Sequence, residues 1–241
     1  MANSTVKGSS RTAMSGLIHA QLSGIRVSST RVAVFGVAVA DPIKLDVYFD
    51  YQCPFVYRMA GLLDTVRRSG REVEVGWRYF SLTQVNSKDD GWTVWGAPAS
   101  ESVRGRLAFA AAEAARRQGR FADLHQPLLE ARHRDRLDVD DPKVIQQVAT
   151  VAGLDMGRFH RDLADSSIFD ALARDHTQAV QQEGVFGTPT LVFANGGSAY
   201  VRLAEGTDGD GALKVFDQLV SVAAAEPRIL EIKRPRRPSP A

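Results

Sequence analysis

The feature that most constrains the fold is a single cysteine placed between a strand-like run and a helix-like run. Residues Leu45–Phe49 form a short apolar stretch with Val, Tyr and Phe, which is typical of a buried strand. Cys53 and Pro54 follow after a short break, and apolar residues then recur at helical spacing to about Arg68. Pro54 suits the first position of a helix, where its missing N–H is not needed. The sequence therefore predicts a strand, a tight turn and a helix, with Cys53 as the N-cap.

A cysteine at a helix N-terminus is a candidate nucleophile. The free N–H groups and the positive end of the helix dipole favour a thiolate over a neutral thiol. The alternative is a buried cysteine that acts as a small apolar side chain. Cys53 is the only cysteine in the sequence, so an internal disulfide is excluded.

A second motif lies far downstream, in Gly184-Val185-Phe186-Gly187-Thr188-Pro189-Thr190. Its Gly187-Thr188-Pro189 portion is a turn signal, and a β-type run to Phe193 follows it. Proline is accepted at the start of a strand, and X–Pro bonds in tight turns can be cis. Taken alone, the motif also fits an ordinary turn that leads into a strand.

Together the two motifs resemble the thioredoxin-fold superfamily and, within it, the DsbA-like branch. That branch has a strand, Cys-Pro-x-x at the start of a helix, a helical insertion, and a Gly-x-x-Gly-Thr-Pro-Thr-type segment. The proline of that segment is cis and faces the cysteine. Cys53-Pro54-Phe55-Val56 and residues 184–190 match these parts.

Two narrower resemblances accompany the first. Residues 46–57 look like 2-hydroxychromene-2-carboxylate isomerases and kappa-class glutathione transferases. The Cys-Pro start and the basic C-terminal end look like mycothiol-dependent nitroreductases and FrnE-like proteins. The overall resemblance runs from about residue 43 to about residue 233.

The resemblance implies a thioredoxin-like α/β fold with an α-helical insertion at about 101–175, within a DsbA-like domain at 41–232. Residues 1–40 are expected to be a disordered leader or the product of a start codon assigned too early. A secretory signal peptide is a further alternative, because Ala38-Val39-Ala40 fits a cleavage pattern. Residues 233–241 are expected to be a basic flexible tail.

The resemblance also implies the site residues. Cys53 is the expected catalytic residue, and the expected substrate-binding residues are Pro54, Phe55, Thr188 and Pro189. Phe55 either offers an apolar surface beside the thiol or packs inward.

Asp50 lies close to the thiol in sequence and is a candidate proton acceptor. The simpler interpretation is a strand-end residue whose carboxylate binds nearby backbone N–H groups. His125 and His133 are interpreted as structural, because the five histidines show no metal-ligand spacing. No phosphate loop or dinucleotide fingerprint is present, so neither a metal nor a tightly bound cofactor is expected.

Hydrophobic periodicity and turn residues predict the remaining elements. Residues 81–100 are expected to be a long loop in which Trp92 and Trp95 form either a lid near the site or a cover over the core. The other predicted elements are strands at 73–80, 190–193 and 200–203, and helices at 103–117, 121–133, 141–152, 155–164, 166–182 (capped by Ser166 or Ser167) and 210–225.

Val56 is the main departure from the DsbA-like pattern. Dithiol members have a second cysteine there, which resolves the mixed disulfide from within. Monothiol chemistry remains, in which Cys53 attacks a disulfide or an electrophile and an external thiol releases the product.

The preferred function is therefore a thiol-disulfide oxidoreductase that acts through a single cysteine. Its expected co-substrate is a low-molecular-weight thiol, glutathione or mycothiol, and its second substrate is a small-molecule or protein disulfide. One alternative is a glutathione- or mycothiol-dependent isomerase or transferase, in which Cys53 only positions the co-substrate. Another is a non-catalytic thioredoxin-fold binding module, which Val56 favours.

Composition limits the partners and the compartment. The formal net charge of +2 is too small to indicate nucleic-acid binding. No apolar run approaches the roughly 18 to 20 residues that span a membrane. A single cysteine does not point to an oxidising compartment, so a cytoplasmic location is expected. A homodimer is left open.

Overall fold

A computed structural model of the chain describes residues 42–234. The elements in chain order are β1 (Ile43–Phe49), α1 (Pro54–Arg68), β2 (Val73–Tyr79), α2 (Leu82–Val85), α3 (Arg106–Arg117), α4 (Phe121–His133), α5 (Pro142–Val151), α6 (Met156–Ala164), a 3₁₀-helix (Ser166–Phe169), α7 (Asp170–Gln181), β3 (Thr190–Phe193), β4 (Ser198–Tyr200) and α8 (Ala212–Ala223). The predictions for residues 1–40, and most of the predicted basic tail, fall outside the described residues.

The four strands form one mixed sheet in the order β2-β1-β3-β4. β1 pairs with β2 in parallel, as predicted, and Val47 lies opposite Trp77. On its other side β1 pairs with β3 in antiparallel orientation, with Tyr48 opposite Thr190. The end of β1 and the beginning of β3 therefore lie side by side at one edge of the sheet.

The central strand β1 supplies apolar side chains to separate parts of the core. Leu45 and Val47 pack with α1, β3 and α8, where Phe216 is fully buried. Tyr48 faces away from them and packs with Phe80. Phe49, at the end of β1, packs into the helical part of the molecule. Residues 47–49 of β1 are thus buried on both faces of the sheet, whereas Lys44 is exposed and Asp46 is half-buried.

Helices α3 to α7 lie between β2 and β3 and form the helical part of the molecule. The alanine-rich α3 is central to it and contacts α4, α5, α6 and the 3₁₀-helix. Seven residues of α3 are buried, six of them alanines. Small side chains let neighbouring helices approach α3 from several sides, so an Ala-rich sequence suits the centre of this block.

The helical part also covers the outer edge of the sheet at β2. The carboxylate of Asp175 on α7 accepts a hydrogen bond from Tyr79 N at 3.0 Å. The guanidinium of Arg116 on α3 donates to the carbonyl of Trp77 at 3.0 Å. These contacts use backbone groups of an edge strand that would otherwise be free to pair with another chain.

Two helices begin later than the sequence predicts. The predicted starts were at 103 and 210, but α3 begins at Arg106 and α8 at Ala212. In each case the preceding N-cap is a glycine in the left-handed region, Gly105 with φ 82° and Gly211 with φ 90°. A helix cannot continue back through such a residue, so glycine conformation overrode helix propensity.

The predicted strand at 200–203 has the wrong bounds. The partner strand is β4, at Ser198–Tyr200, because the Asn195–Gly197 turn is tight and pairing resumes directly after it. Phe193 N donates to Gly197 O at 2.8 Å, and the Asn195 side chain accepts from Gly197 N at 3.1 Å. Beyond the strand, Val201 N still bonds to Pro189 O at 3.0 Å.

The predicted helix at 166–182 is a 3₁₀-helix followed by α7. Its cap is Asp165 rather than Ser166 or Ser167, because the Asp165 carboxylate accepts hydrogen bonds from both Ser167 N and Ser167 Oγ. A charged acceptor at the N-cap is a stronger partner for these donors than a hydroxyl.

The predicted loop at 81–100 is packed and contains the short helix α2. Ser81 caps that helix by accepting from Gln84 N at 3.1 Å. Trp92 and Trp95 are half-buried against the helical core, and Val94 between them is fully buried. Both rings cover the core, and a further role as a lid stays a prediction. Within the part of the chain that the structure describes, no helix is long and apolar enough to cross a bilayer.

Gly197 provides a test of the hairpin. A Cβ at this position would clash with Ala223 O and lie 2.9 Å from Ala224 Cα, which are backbone atoms that cannot move aside cheaply. We expect Gly197→Ala to lower the free energy of unfolding by about 1–3 kcal/mol in chemical denaturation. Gly209→Ala is the matched control, because its Cβ would have only an ordinary 3.6 Å contact. Equal stability of the two variants would contradict this packing.

Candidate active site

Cys53 is the N-cap of α1, as the sequence predicts, with φ −89° and ψ 116°. The turn before it is closed by a hydrogen bond from Cys53 N to Asp50 O at 3.0 Å, and Pro54 occupies the first helical turn. The Cys53 side chain forms no capping hydrogen bond to the helix. Cys53 is only 5% exposed. The thiol therefore lies at the positive end of α1 with little contact with bulk solvent.

The structure brings the two sequence motifs together. The thiol of Cys53 donates to the carbonyl oxygen of Thr188, with Sγ and O 3.2 Å apart. The Thr188–Pro189 peptide bond is cis, and both residues are buried. A hydrogen bond within the loop stabilises it, because Thr190 Oγ1 donates to Gly187 O at 2.8 Å. The predicted meeting of the cysteine with a cis-proline loop is thus present, while the roles of these residues in binding stay predictions.

The side chain of Thr188 adds an unsatisfied polar group beside the thiol. Thr188 is 2% exposed, and within residues 42–234 its hydroxyl has no hydrogen-bond partner. Buried hydroxyls in native proteins nearly always have a partner, which can be water or a ligand. The Thr188 hydroxyl is therefore a buried polar group, next to the thiol in the fold, whose partner is not among the described residues.

Pro54 and Phe55, the other predicted contact residues, lie on the outer side of the thiol. Pro54 is exposed and Phe55 is half-buried, so Phe55 both packs inward and presents part of its ring. Two guanidinium groups lie over that ring. The Cζ of Arg202 is 4.2 Å from the ring centroid and that of Arg58 is 5.2 Å away.

Asp50 proves to be a buried residue that holds the cysteine turn. Its carboxylate accepts hydrogen bonds from Gln52 N at 2.8 Å and from Leu82 N at 2.7 Å. This confirms the interpretation of a strand-end residue bound to backbone, although Leu82 lies on the loop after β2 and is not local. Burial raises the pKa of Asp50 to about 6, and the nearby Asp140 adds to the rise. The two amide donors and Arg104 oppose it.

A second carboxylate supports the same turn, and sequence reasoning missed it. Asp140 accepts from Gly105 N at 2.7 Å and from the Gln52 side chain at 3.3 Å. Burial also raises the pKa of Asp140. The sequence gives no signal for this contact, because Asp140 lies in an acidic run beside the cap of α5 and is 88 residues from Gln52.

The two histidines of α4 hold Tyr51 of the same turn. His125 Nδ1 shares a hydrogen bond with the Tyr51 hydroxyl at 3.0 Å, and His133 Nε2 donates to the Tyr51 carbonyl at 2.9 Å. Burial lowers the pKa of His125 to about 3, so this ring is neutral at ordinary pH. These contacts agree with a structural interpretation of both rings. Among the described residues, no cluster of three or more His, Cys, Asp or Glu side chains could hold a metal.

A comparison with protein families completes these observations. The sequence profile of the DSBA-like thioredoxin domain matches residues 44–212. The chain belongs to the DSBA-like thioredoxin domain family. The matched range begins in β1 and ends at the start of α8, so it includes the cysteine turn, the helical part and the cis-proline loop.

Solved structures show the same fold for this DSBA-like domain. A probable DsbA oxidoreductase of Streptomyces coelicolor superposes with a TM-score of 0.54 and 21% identity, covering 83% of this chain and 94% of that one. The alpha-DsbA1 of Wolbachia pipientis gives a TM-score of 0.53 at 13% identity, covering 76% and 85%. At these identities the likeness concerns the fold alone.

Two relatives found by sequence differ in how much of their own length this chain covers. The Na(+)/H(+) antiporter NhaA 1 of Mycolicibacterium gilvum is 30% identical over 158 residues, which are 64% of this chain. The chain spans only 22% of that antiporter's length. An uncharacterized protein of Mycobacterium tuberculosis is 25% identical, with 81% of this chain and 83% of that protein covered.

Val56, where the resemblance implies a second cysteine in dithiol members, is fully buried among the residues of the helical core. Cys53 is the one cysteine of the chain and is a free thiol. The departure from the dithiol pattern is thus a well-packed aliphatic side chain.

The pH dependence of stability provides a test of Asp50. Because its pKa is raised to about 6 in the folded protein, the proton that it binds stabilises the fold at low pH. This stability is lost as pH rises through the folded pKa. From about pH 4 to about pH 8, the free energy of unfolding of the wild type should fall by about 2–3 kcal/mol relative to Asp50→Asn.

Denaturant titrations at several pH values provide the measurement. Asp217→Asn is the control, because Asp217 is a half-exposed carboxylate paired with Arg71. If the stability curves of wild type and Asp50→Asn run parallel across this range, the assignment of the proton to Asp50 is wrong.

Proposed function

We propose that this DSBA-like protein is a thiol-disulfide oxidoreductase that acts through Cys53 alone. The observation that carries the proposal is the contact between the Cys53 thiol and the carbonyl of Thr188, next to cis-Pro189 and at the N-terminus of α1. A single sulfur at the positive end of a helix is suited to attack a disulfide. Membership of the DsbA-like family supports the same class of reaction.

The proposed reaction has two exchange steps. The Cys53 thiolate attacks one sulfur of a disulfide R–S–S–R, so that a Cys53–S–S–R bond forms and R–S⁻ leaves and takes a proton from solvent. An external thiolate R′–S⁻ then attacks the R sulfur of this mixed disulfide. The products are R–S–S–R′ and the regenerated Cys53 thiolate. The second step needs an external thiol because Val56 offers no sulfur inside the chain.

Several groups of the site suit these steps. The start of α1 is the positive end of the helix dipole, which favours a negative charge placed near it. The cis-Pro189 loop would bind an extended thiol-containing substrate by main-chain hydrogen bonds, in the manner of strand addition.

The proposal extends to the substrates and the compartment. The co-substrate is a low-molecular-weight thiol, glutathione or mycothiol, and the oxidised partner is a small-molecule or protein disulfide. A reducing compartment such as the cytoplasm suits a protein whose one cysteine must return to the thiolate after each cycle.

Adduct formation tests the proposal directly. Wild type incubated with oxidised glutathione at neutral pH should gain one glutathione by intact mass, and a reducing thiol should remove it. Cys53→Ser is the control and should gain none. Absence of an adduct on folded wild type would refute the mechanism and would favour the non-catalytic binding module.

A second candidate is a glutathione- or mycothiol-dependent isomerase or transferase. The observation that favours it is the hydrogen bond from Cys53 to Thr188 O, because a serine hydroxyl could donate in the same way. In that case Cys53 positions the thiol of the co-substrate and is not itself the nucleophile. Cys53→Ser would then keep most of the isomerase or transferase activity, whereas disulfide reduction would be lost.

A further inference from the structure

Arg202 is near both the cis-proline loop and the start of α1. It follows Val201, whose N–H donates to the carbonyl of cis-Pro189 at 3.0 Å. Its guanidinium carbon lies 4.2 Å from the centre of the ring of Phe55. Phe55 follows Cys53 by two residues in the sequence. The backbone of Arg202 is therefore anchored beside the proline loop, and its charged end reaches over the start of α1.

Among the described residues, the guanidinium of Arg202 has no hydrogen-bond or ion-pair partner, in contrast to that of Arg58. Arg58 contacts the same ring but donates to Leu203 O at 2.9 Å and to Glu205 at 2.7 Å. Across the described range 42–234, Arg202 makes no ion pair and no hydrogen bond through its side chain. Two positive charges thus lie over the Phe55 ring, and Glu205 pairs with only one of them, Arg58.

Stacking on Phe55 orients the free charge. A guanidinium that lies on an aromatic face keeps its N–H groups at the rim of the plane, where they remain available for hydrogen bonds. The planar pair of N–H groups matches a carboxylate, which it binds through two parallel hydrogen bonds. The buried Thr188 hydroxyl, which has no partner within residues 42–234, belongs to the residue whose carbonyl accepts from the Cys53 thiol.

We propose that Arg202 determines specificity by binding a carboxylate of the disulfide substrate, so that Cys53 reacts preferentially with anionic disulfides. This inference rests on the proposed function and adds the charge of its substrate. The fitting class is a peptide-like or low-molecular-weight disulfide whose carboxylate lies within a residue or two of the reacting sulfur. The exchange step is the one given above, with the carboxylate held by Arg202 while the S–S bonds change.

Three disulfides of different charge test the inference. Oxidised glutathione is anionic, 2-hydroxyethyl disulfide is neutral and cystamine is cationic. The rate of adduct formation on Cys53 is measured for each by intact mass, in wild type and in Arg202→Gln. We expect the substitution to lower the ratio of the glutathione rate to the 2-hydroxyethyl disulfide rate by about fivefold, since an exposed charge pair contributes up to about that factor. The ratio of the cystamine rate to the 2-hydroxyethyl disulfide rate should rise.

Two further variants separate a local contact from a general effect of charge. Arg161→Gln removes the same charge from α6, which packs against α3 and the 3₁₀-helix, and should keep the wild-type ratios. Arg202→Lys retains the charge but not the planar fork, so its ratios should lie between those of wild type and Arg202→Gln. Raising the ionic strength from about 0.02 M to about 0.5 M should reduce the anionic preference of wild type more than that of Arg202→Gln.

The outcomes distinguish the inference from the function beneath it. If all three disulfides form adducts and Arg202→Gln keeps the wild-type ratios, the role of Arg202 is refuted and the oxidoreductase proposal stands. If Arg161→Gln changes the ratios as much as Arg202→Gln, the preference comes from net charge, and the carboxylate site is refuted. If no disulfide adds to wild type, the proposed function itself fails.

Discussion

The site depends on the register between β1 and β3. Because the two strands are antiparallel and Tyr48 lies opposite Thr190, the chain leaving β1 must meet the chain entering β3. This pairing places Cys53 against the carbonyl of Thr188, although 135 residues separate them. A slip of one residue would turn every side chain of β3 to the other face, so the buried Leu191 and Phe193 also fix the position of the proline loop.

The helical part of the molecule does more than extend the core. It supplies Asp140, His125 and His133, which bind the side chain of Gln52 and the hydroxyl and carbonyl of Tyr51. These polar groups are largely buried, so each bond is costly to leave unmade. The turn that carries the thiol is thereby held from the helical side by side chains and from the sheet side by Asp50. If Cys53 is the nucleophile, as proposed, a thiol held in this way keeps its geometry at little entropic cost in the reaction.

The local features of the site could be predicted from sequence, and the long-range contacts could not. The apolar run of β1, proline at the start of α1 and the Gly-Thr-Pro turn each carry a local physical signal. This is why the N-cap position of Cys53, the turn at Thr188–Pro189 and the bounds of α1 were predicted correctly, while the roles of Cys53 and Pro189 stay predictions. The limits of β4 were missed, because the apolar alternation at 200–203 continues past the residues that the tight Asn195–Gly197 turn brings into register. Asp140 and Arg202 were missed because their partners are brought near only by the tertiary fold, and no local pattern marks an arginine that stacks on a distant phenylalanine.

Val56 has a consequence for the timing of the proposed chemistry. Val56 is a fully buried aliphatic side chain and the sequence has no second cysteine, so in the proposed reaction no other sulfur of the chain could release an adduct from Cys53. Release becomes a collision between two molecules, and the half-life of the adduct varies inversely with the concentration of free thiol outside. A dithiol relative releases its product at a rate set by its own structure. In the proposed reaction the concentration of external thiol would set the rate of release. The fraction of the protein that carries an adduct would then fall as that concentration rises.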